Sequence, residues 1–329
     1  MEEGRVNQQP RILGIDISKA KFHVALLLDN GKAKKKVFAN NIAGFALLSE
    51  WLSTQGVRQV HSCLEATNTY GQAVARYLYE QGHRVSVVNP LQVQGFAQSQ
   101  LSRNKTDSAD AATIAQFCAT LQPRTWKPAE PASEQLQQMT RRLEGLQQMI
   151  NQEKNRLDTA IEMLQEEIEE HIVFMEHQMK KIKEKIQLHI KKNASLQANL
   201  QLLMSITGIA QTSGAQILAE LGNFQDFHCA RALAAYAGLT PQAHESGSSV
   251  QGKTRLCKIG NAHLRRALYF PALTALRRCE PIRDWAEQLR ARGKTRMQVV
   301  GAVMHKLLRI VYGVLKSRQP FNLELLVTP

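Results

Sequence analysis

The sequence predicts a mixed α/β domain at the N-terminal end and an all-α remainder. Three observations carry this. Strand-like and helix-like stretches alternate over residues 11–125. Between Gly145 and Gly208 the chain holds neither glycine nor proline. Residues 201–329 read as helices with short punctuation. The expected divisions are 1–125, a linker with coiled-coil helices over 126–200, and a helical domain over 201–329.

In order, "RILGIDISKAKFHVALLLD" reads as two strands around a polar turn, and "GKAKKKVFAN" as a third, with Gly31 in the turn before it. "AGFALLSEWLSTQG" has helical spacing and stops at Gly56. "VHSCLEAT" is a buried-type strand, "TYGQAVARYLYEQG" a helix ending at Gly82, and "RVSVVNP" a strand stopped by Pro90. A polar stretch follows, then a helix from about Thr106 to Leu121. This β-β-β-α-β-α-β-α order is the ribonuclease-H-like order, a mixed sheet that begins with a meander.

"QPRTWKPAEPASEQ", with three prolines, reads as a linker ending in a helix cap at Ser133. Leu136, Leu143, Ile150, Leu157 and Leu164 then recur at heptad spacing, and a second register through Ile168, Met175, Ile182, Leu196 and Leu203 replaces them. The shift near 160–168 predicts a break or a stutter. So narrow a stripe needs a partner helix, from a hairpin or from another subunit; the second source makes the 134–205 helices a subunit contact. "LMSITGIAQTSGAQILAELG" reads as two short helices joined at "TGIA", either an ordinary helix turn or one that resembles a helix-hairpin-helix motif with Ala210 in place of its second glycine.

The net charge is +14, and residues 201–329 carry 17 Lys and Arg against 7 Asp and Glu. Such a surplus points to a polyanionic partner, nucleic acid or a membrane surface. No apolar run approaches the ~18 residues of a membrane span, and the polar N-terminus has no apolar core of a signal peptide. Five scattered cysteines without a CxxC pair exclude a zinc ribbon and a disulfide framework. A cytoplasmic, nucleic-acid-facing protein is expected.

Asp16 interrupts the apolar strand "LGIDIS", and Glu65 ends "VHSCLEA" in the same way. A lone buried carboxylate is costly unless paired or bound to a cation. Asp107 and Asp110 open a helix, where each on its own would merely suit the helix dipole. In a ribonuclease-H-like sheet the first strand, the fourth strand and the last helix meet at one edge. Asp16, Glu65, Asp107 and Asp110 would converge there, and four such carboxylates cannot all ionise without cations. Mg²⁺, which prefers carboxylate oxygens, fits. Two such ions clamp the attacking and leaving oxygens in a phosphoryl transfer.

The second feature is "HESGSSVQGKTRLCKIGNAHLRRALY". Ser246, Ser248 and Ser249 precede Lys253, Arg255, Lys258, Arg265 and Arg266, which are the candidate nucleic-acid contacts. On chemistry alone the pattern suits a phosphate-binding loop first, and only after it a serine nucleophile whose target phosphate is neutralised by cations.

"LGIDISK", "LEATNTYG", "NKTDSADA", "GLTPQAHESGSSVQGK" and "LRRALY", in this order over nearly the whole chain, resemble the DEDD transposases of the insertion-sequence 110 family, the bridge-RNA-guided recombinases. The resemblance implies a RuvC-like N-terminal domain with Asp16, Glu65, Asp107 and Asp110 as Mg²⁺ ligands. It implies a C-terminal transposase domain in which Ser246 attacks a DNA phosphate and forms a covalent phosphoserine link. It further implies a noncoding guide RNA that pairs with donor and target double-stranded DNA. The implied assembly is a tetramer, a dimer of dimers, whose sites combine the RuvC-like domain of one subunit with the serine domain of another. Asn68 stands where such chains commonly carry glycine; asparagine tolerates positive φ, so the turn should survive. Two other readings stay open on the residues alone. One is a RuvC-like, metal-dependent junction nuclease without a covalent intermediate, and the other a non-enzymatic nucleic-acid scaffold.

Overall fold

The computed structural model describes residues 10–66, 69–100, 107–246 and 250–326; the side chains of 107–108, 243–254 and 325–326 stand outside that description. Asn68, Ser248 and Ser249 lie outside the described residues. The chain divides into two compact units, Met1–Pro128 and Ala129–Pro329.

The first unit is a five-stranded mixed sheet covered by helices. Strands β1 (Arg11–Ile17), β2 (Lys21–Leu27) and β3 (Ala33–Ala39) form an antiparallel meander. β4 (Val60–Glu65) pairs parallel with β1, and β5 (Arg84–Val88) parallel with β4, giving the order β3-β2-β1-β4-β5. Strand alternation divides the residues between two faces. Leu13, Ile15, Phe22, Leu26 and Leu64 are buried in one core together with Leu48 and Leu52 of α1 (Ile42–Thr54) and Leu78 of α2 (Gln72–Glu80). Each fully buried side chain of this size contributes roughly 1.5–3 kcal/mol. On the opposite face Cys63 and Val88 pack with Ile114, Phe117 and Cys118 of α4 (Asp107–Leu121). Lys34, Lys35 and Lys36 stand exposed on edge strand β3, where charge discourages pairing with another chain.

One helix was not expected. α3 (Pro90–Ser99) occupies part of the stretch that reads as polar chain. Pro90 begins this helix as well as ending β5: the Asn89 side chain accepts from Leu91 N, and proline suits the first helical position. The helix escapes a periodicity search because Val93 is its one buried residue.

In the second unit α5 (Pro131–Leu157) and α6 (Glu162–Lys192) form an antiparallel hairpin. Lys154 meets Glu176 at 2.9 Å near its tip, and His189 Nε2 lies 2.8 Å from the Ala132 carbonyl near its base. The break falls at 158–161, close to the register shift. The partner that the narrow stripe requires is therefore inside the chain. Leu136, Leu143, Ile186 and Ile190 join Leu196 and Leu200 of α7 (Ala194–Met204) and Ile217 of α8 (Gln211–Leu221) in one core. This corrects the subunit-contact reading of the seam. Charge at Ile186, which is 5% exposed, would break the fold of one chain before it broke any assembly.

α9 (Ala230–Tyr236), α10 (Ala262–Ala267), α11 (Tyr269–Arg278), α12 (Glu280–Ala291) and α13 (Arg296–Ser317) complete the helices. By length and composition α13 alone among the described helices could cross a membrane, yet Val299, Val303, Leu307, Leu308 and Val311 are fully buried in the core. The all-α reading of 201–329 needs correction. β6 (Pro241–Ser246) and β7 (Val250–Leu256) form an antiparallel hairpin there. Its Gly- and Ser-rich tip and polar strands carry no apolar alternation by which to read it.

Candidate functional site

The geometry of the first site starts from Gly14. A Cβ at this position would lie 2.1 Å from the Ala111 carbonyl oxygen and 2.4 Å from Ala115 N. Only glycine lets α4 lie this close on β1. Asp16, two residues along the strand, shares the face of Gly14. In the parallel pair β1–β4, Gly14 lies opposite Cys63 and Ile15 opposite Leu64, so Glu65 comes level with Asp16 on the same face. The direction of α4 completes the arrangement. Its Cys118 hydrogen-bonds with Cys63 and with His61, which stands near the start of β4, while Ala111 rests on Gly14. The first turn of α4, with Asp107 and Asp110, therefore points to the end of the sheet that holds Asp16 and Glu65.

Asp16, Glu65 and Asp110 are half-buried, and Asp16 sits opposite His23 of β2. The side chain of Asp107 lies outside the described residues. Among the described residues no three Asp, Glu, His or Cys side chains are gathered closely enough to hold a metal ion. The donor chemistry nonetheless suits a hard divalent cation: carboxylate oxygens from two strands and one helix at the end of a sheet. Cys63 and Cys118, far apart in sequence, are buried side by side beneath this site. The hydrogen bond with Cys118, together with burial, pushes the Cys63 thiol up, so it stays protonated.

The second candidate, Ser246, is the last residue of β6 and pairs with Val250, which places it at the tip of the β6–β7 hairpin. Its side chain is outside the described residues, as are those of His244 and Lys253. The base of the hairpin is clamped. Cys257 N donates to the Thr240 carbonyl (2.9 Å), Lys258 N to Gly238 (3.1 Å) and Asn261 N to Tyr236 (2.6 Å). Gly260 has φ +138°, and a Cβ there would lie 2.3 Å from the Tyr236 carbonyl oxygen. Behind this clamp is a buried polar network. The Asn261 side chain accepts from Leu264 N to cap α10, and donates to Glu220 Oε2 at 2.8 Å. Arg141 Nε and Nη2 donate to Glu220 at 3.0 and 3.2 Å. Burial works against the charge on Arg141, but the hydrogen bond and charge of Glu220 outweigh it and raise its pKa.

Of the expected nucleic-acid contacts, Arg255 and Lys258 are exposed. Arg265 and Arg266 have partners inside the fold. Arg265 Nη1 donates to the Ala237 carbonyl at 2.8 Å, and Arg266 Nη1 lies 2.8 Å from Glu144, which His263 also contacts. The sequence reading missed Arg141, Glu144, Glu220 and Asn261. Only Asn261 had a local signal, as the cap residue of "GNAHL".

Glu220 is 4% exposed, so truncation should be expensive: Glu220→Ala leaves Arg141 unpaired in a half-buried place and unties Asn261. An unfolding free energy lower by about 3 kcal/mol is expected. Equilibrium denaturation with urea measures it, and a loss under about 1 kcal/mol would mean that the network does not brace the hairpin.

Comparison with known proteins identifies the family. A family model described as a transposase, of the IS110 DEDD type, matches residues 13–166 and so contains Asp16, Glu65, Asp107 and Asp110. A second, described as a transposase of the IS116/IS110/IS902 family, matches residues 200–287 and contains the hairpin with Ser246. The pilin gene-inverting protein of Moraxella bovis is 29% identical over 313 residues, 94% of this chain and 97% of its own length. That of Moraxella lacunata is 29% identical with the same coverage. The transposase for insertion sequence element IS1328 of Yersinia enterocolitica is 23% identical over 94% of this chain and 98% of its own length. With both halves matched in order, and relatives that align over nearly the full length, the chain belongs to the IS110 family of transposases, enzymes that act on DNA.

Proposed function

We propose that this transposase is an RNA-guided DNA recombinase that cuts and rejoins donor and target strands. The observation that carries the reading is the convergence of Asp16, Glu65 and the first turn of α4 at one end of a β3-β2-β1-β4-β5 sheet. That order is the one expected of a ribonuclease-H-like, RuvC-like domain. Asp16, Glu65, Asp107 and Asp110 are the residues that would hold Mg²⁺. Bound there, the ion would neutralise phosphate charge and activate the attacking oxygen. Ser246 is the proposed nucleophile. A hairpin tip can enter a DNA groove, while the clamp at its base limits where the tip can go. The gene-inverting relatives support recombination over simple cutting, because inverting a segment requires that cut ends be rejoined.

The guide RNA, the donor and target DNA and a tetramer rest on the family resemblance. The charge surplus of residues 201–329 supports polyanion binding. Apolar side chains exposed on α6, Met163 at 87%, Val173 at 65% and Phe174 at 59%, support self-association. Two measurements test the guided mechanism. RNA copurified with the full chain should be one defined, structured species, and its binding should weaken linearly in log Kd against log salt, as counterion release requires. A preparation freed of RNA that still recombines specific DNA sites would rule out guidance.

A further inference from the structure

Apart from the carboxylate site and the hairpin, the second unit has a cleft of about 350 Å³ walled by α5, α6, α8, α10 and α11. We propose that this cleft receives one unpaired nucleotide extruded from a nucleic-acid strand, its base against Phe270 and its phosphate towards Lys183.

Three observations lead there. The first is Phe270, which lines the cleft yet is 74% exposed, with its ring edge-to-face against Tyr269 at 5.4 Å between centroids. It contributes nothing to the core, and an aromatic face left open beside a cleft is a stacking surface. The second is the charge balance of the walls. Arg141 and Arg266 are bonded to Glu220 and Glu144, which leaves Lys183 as the lining cation without an ion pair among the described residues. One net positive charge matches one phosphodiester and would be too little for a polyacidic peptide. The third is the set of lining glutamines: Gln147 is bonded to Asn151, and Gln148 and Gln216 each carry donors and an acceptor for a base edge. The volume lies at the small end of ligand sites. A duplex cannot enter it, and bases stacked within a duplex hide their faces from Phe270 unless one is flipped out. The proposal rests on the nucleic-acid reading above and adds a strand state and a location to it.

The test uses the full-length protein and fluorescein-labelled ten-nucleotide strands of oligo(rU), oligo(rA), oligo(dT) and oligo(dA), beside a twenty-base-pair DNA duplex, all read by anisotropy. Phe270→Leu keeps an apolar side chain at an exposed position and removes the ring. Its thermal melt should match that of the wild type. It should bind single strands about tenfold more weakly, the loss of one base stack, and this loss should exceed any loss on the duplex at least fivefold. Lys183→Gln should reduce the salt slope for single strands by about 0.7, one phosphate contact. Tighter binding of the ribo strands would assign the nucleotide to RNA, and tighter binding of the deoxy strands to DNA. Equal losses of Phe270→Leu on strands and duplex, or no loss on either, would overturn the proposal. So would a wild-type protein that binds duplex but no single strand, while the recombinase reading stood. A wild-type protein that binds neither would bring down both.

Discussion

Asp16→Asn should lower DNA strand cleavage about a thousandfold or more while the protein folds and binds nucleic acid as before. The substitution keeps the shape of the side chain and removes its charge. If Asp16 helps to hold a divalent cation, an oxygen donor of full charge becomes a neutral amide, and stabilisation of the phosphoryl-transfer transition state falls by several kcal/mol. Stability should move the other way or not at all. Half-buried carboxylates brought to one end of a sheet repel one another without a cation, so the metal-free variant should melt at or slightly above the wild-type temperature. Glu65→Gln and Asp110→Asn should behave alike, because the three residues stand on β1, β4 and α4 at that same end of the sheet. The measurements are single-turnover cleavage of labelled DNA against Mg²⁺ concentration and thermal melts with chelator present. Near wild-type cleavage by Asp16→Asn would remove the carboxylates from the mechanism. A variant that is both inactive and several degrees less stable would assign Asp16 to the fold.

Ser246→Ala should fold, bind RNA and DNA, and form no covalent adduct with DNA. In the proposed step the Ser246 Oγ attacks phosphorus and loses its proton, a serine–phosphate ester forms, and the bond to the 3′ oxygen breaks, leaving a 3′-hydroxyl after protonation. In the reverse sense a 3′-hydroxyl attacks the phosphoserine, the serine oxygen leaves and takes back a proton, and a DNA strand is sealed. The ester keeps the free energy of the broken phosphodiester, so sealing needs no nucleoside triphosphate. Attack by water would lose it. A serine hydroxyl is a weak nucleophile at neutral pH and needs activation, so adduct formation should depend on divalent cation as well as on Ser246. Labelled DNA on a denaturing gel, followed by peptide mapping, reads the outcome. Adduct on another residue, or cleavage by Ser246→Ala at the wild-type rate, would favour a metal-only junction nuclease.

Much of the first unit was legible because its elements advertise themselves locally. β1 and β4 are apolar runs each interrupted by one acid, and the glycines after α1 and α2 mark where those helices stop. The carboxylates stood out for the same reason, since Asp16 in "LGIDIS" violates the pattern around it. What stayed hidden lacks a local signature. α3 buries little, so its periodicity is faint, although the Asn89–Pro90 start was there to be read. The β6–β7 hairpin has polar residues on both strands, and alternation cannot separate it from a loop. Glu220 sits in "AQILAELG", where it reads as an ordinary helical acid. Its burial follows from Arg141 and Asn261, 79 and 41 residues away.

By itself the sequence determined the order of the five sheet strands and of α1, α2 and α4, the four acidic candidates, Ser246 as a loop serine and the basic surplus of residues 201–329, because periodicity, turn residues and net charge are properties of neighbouring residues or of sums. The tertiary structure alone decided three things. The absence of a side chain at Gly14 lets α4 settle onto β1, which is what brings Asp110 towards Asp16 and Glu65. The coiled seam closes on itself, because a hairpin turn at 158–161 supplies its partner helix at the chain's own effective concentration, far above any a second subunit offers. The cleft beside Phe270 exists because five helices, drawn from residues 131 to 278, leave a space that the aromatic ring does not fill. Each of the three depends on contact between residues remote in sequence, and a pattern read along one chain carries no distance across it.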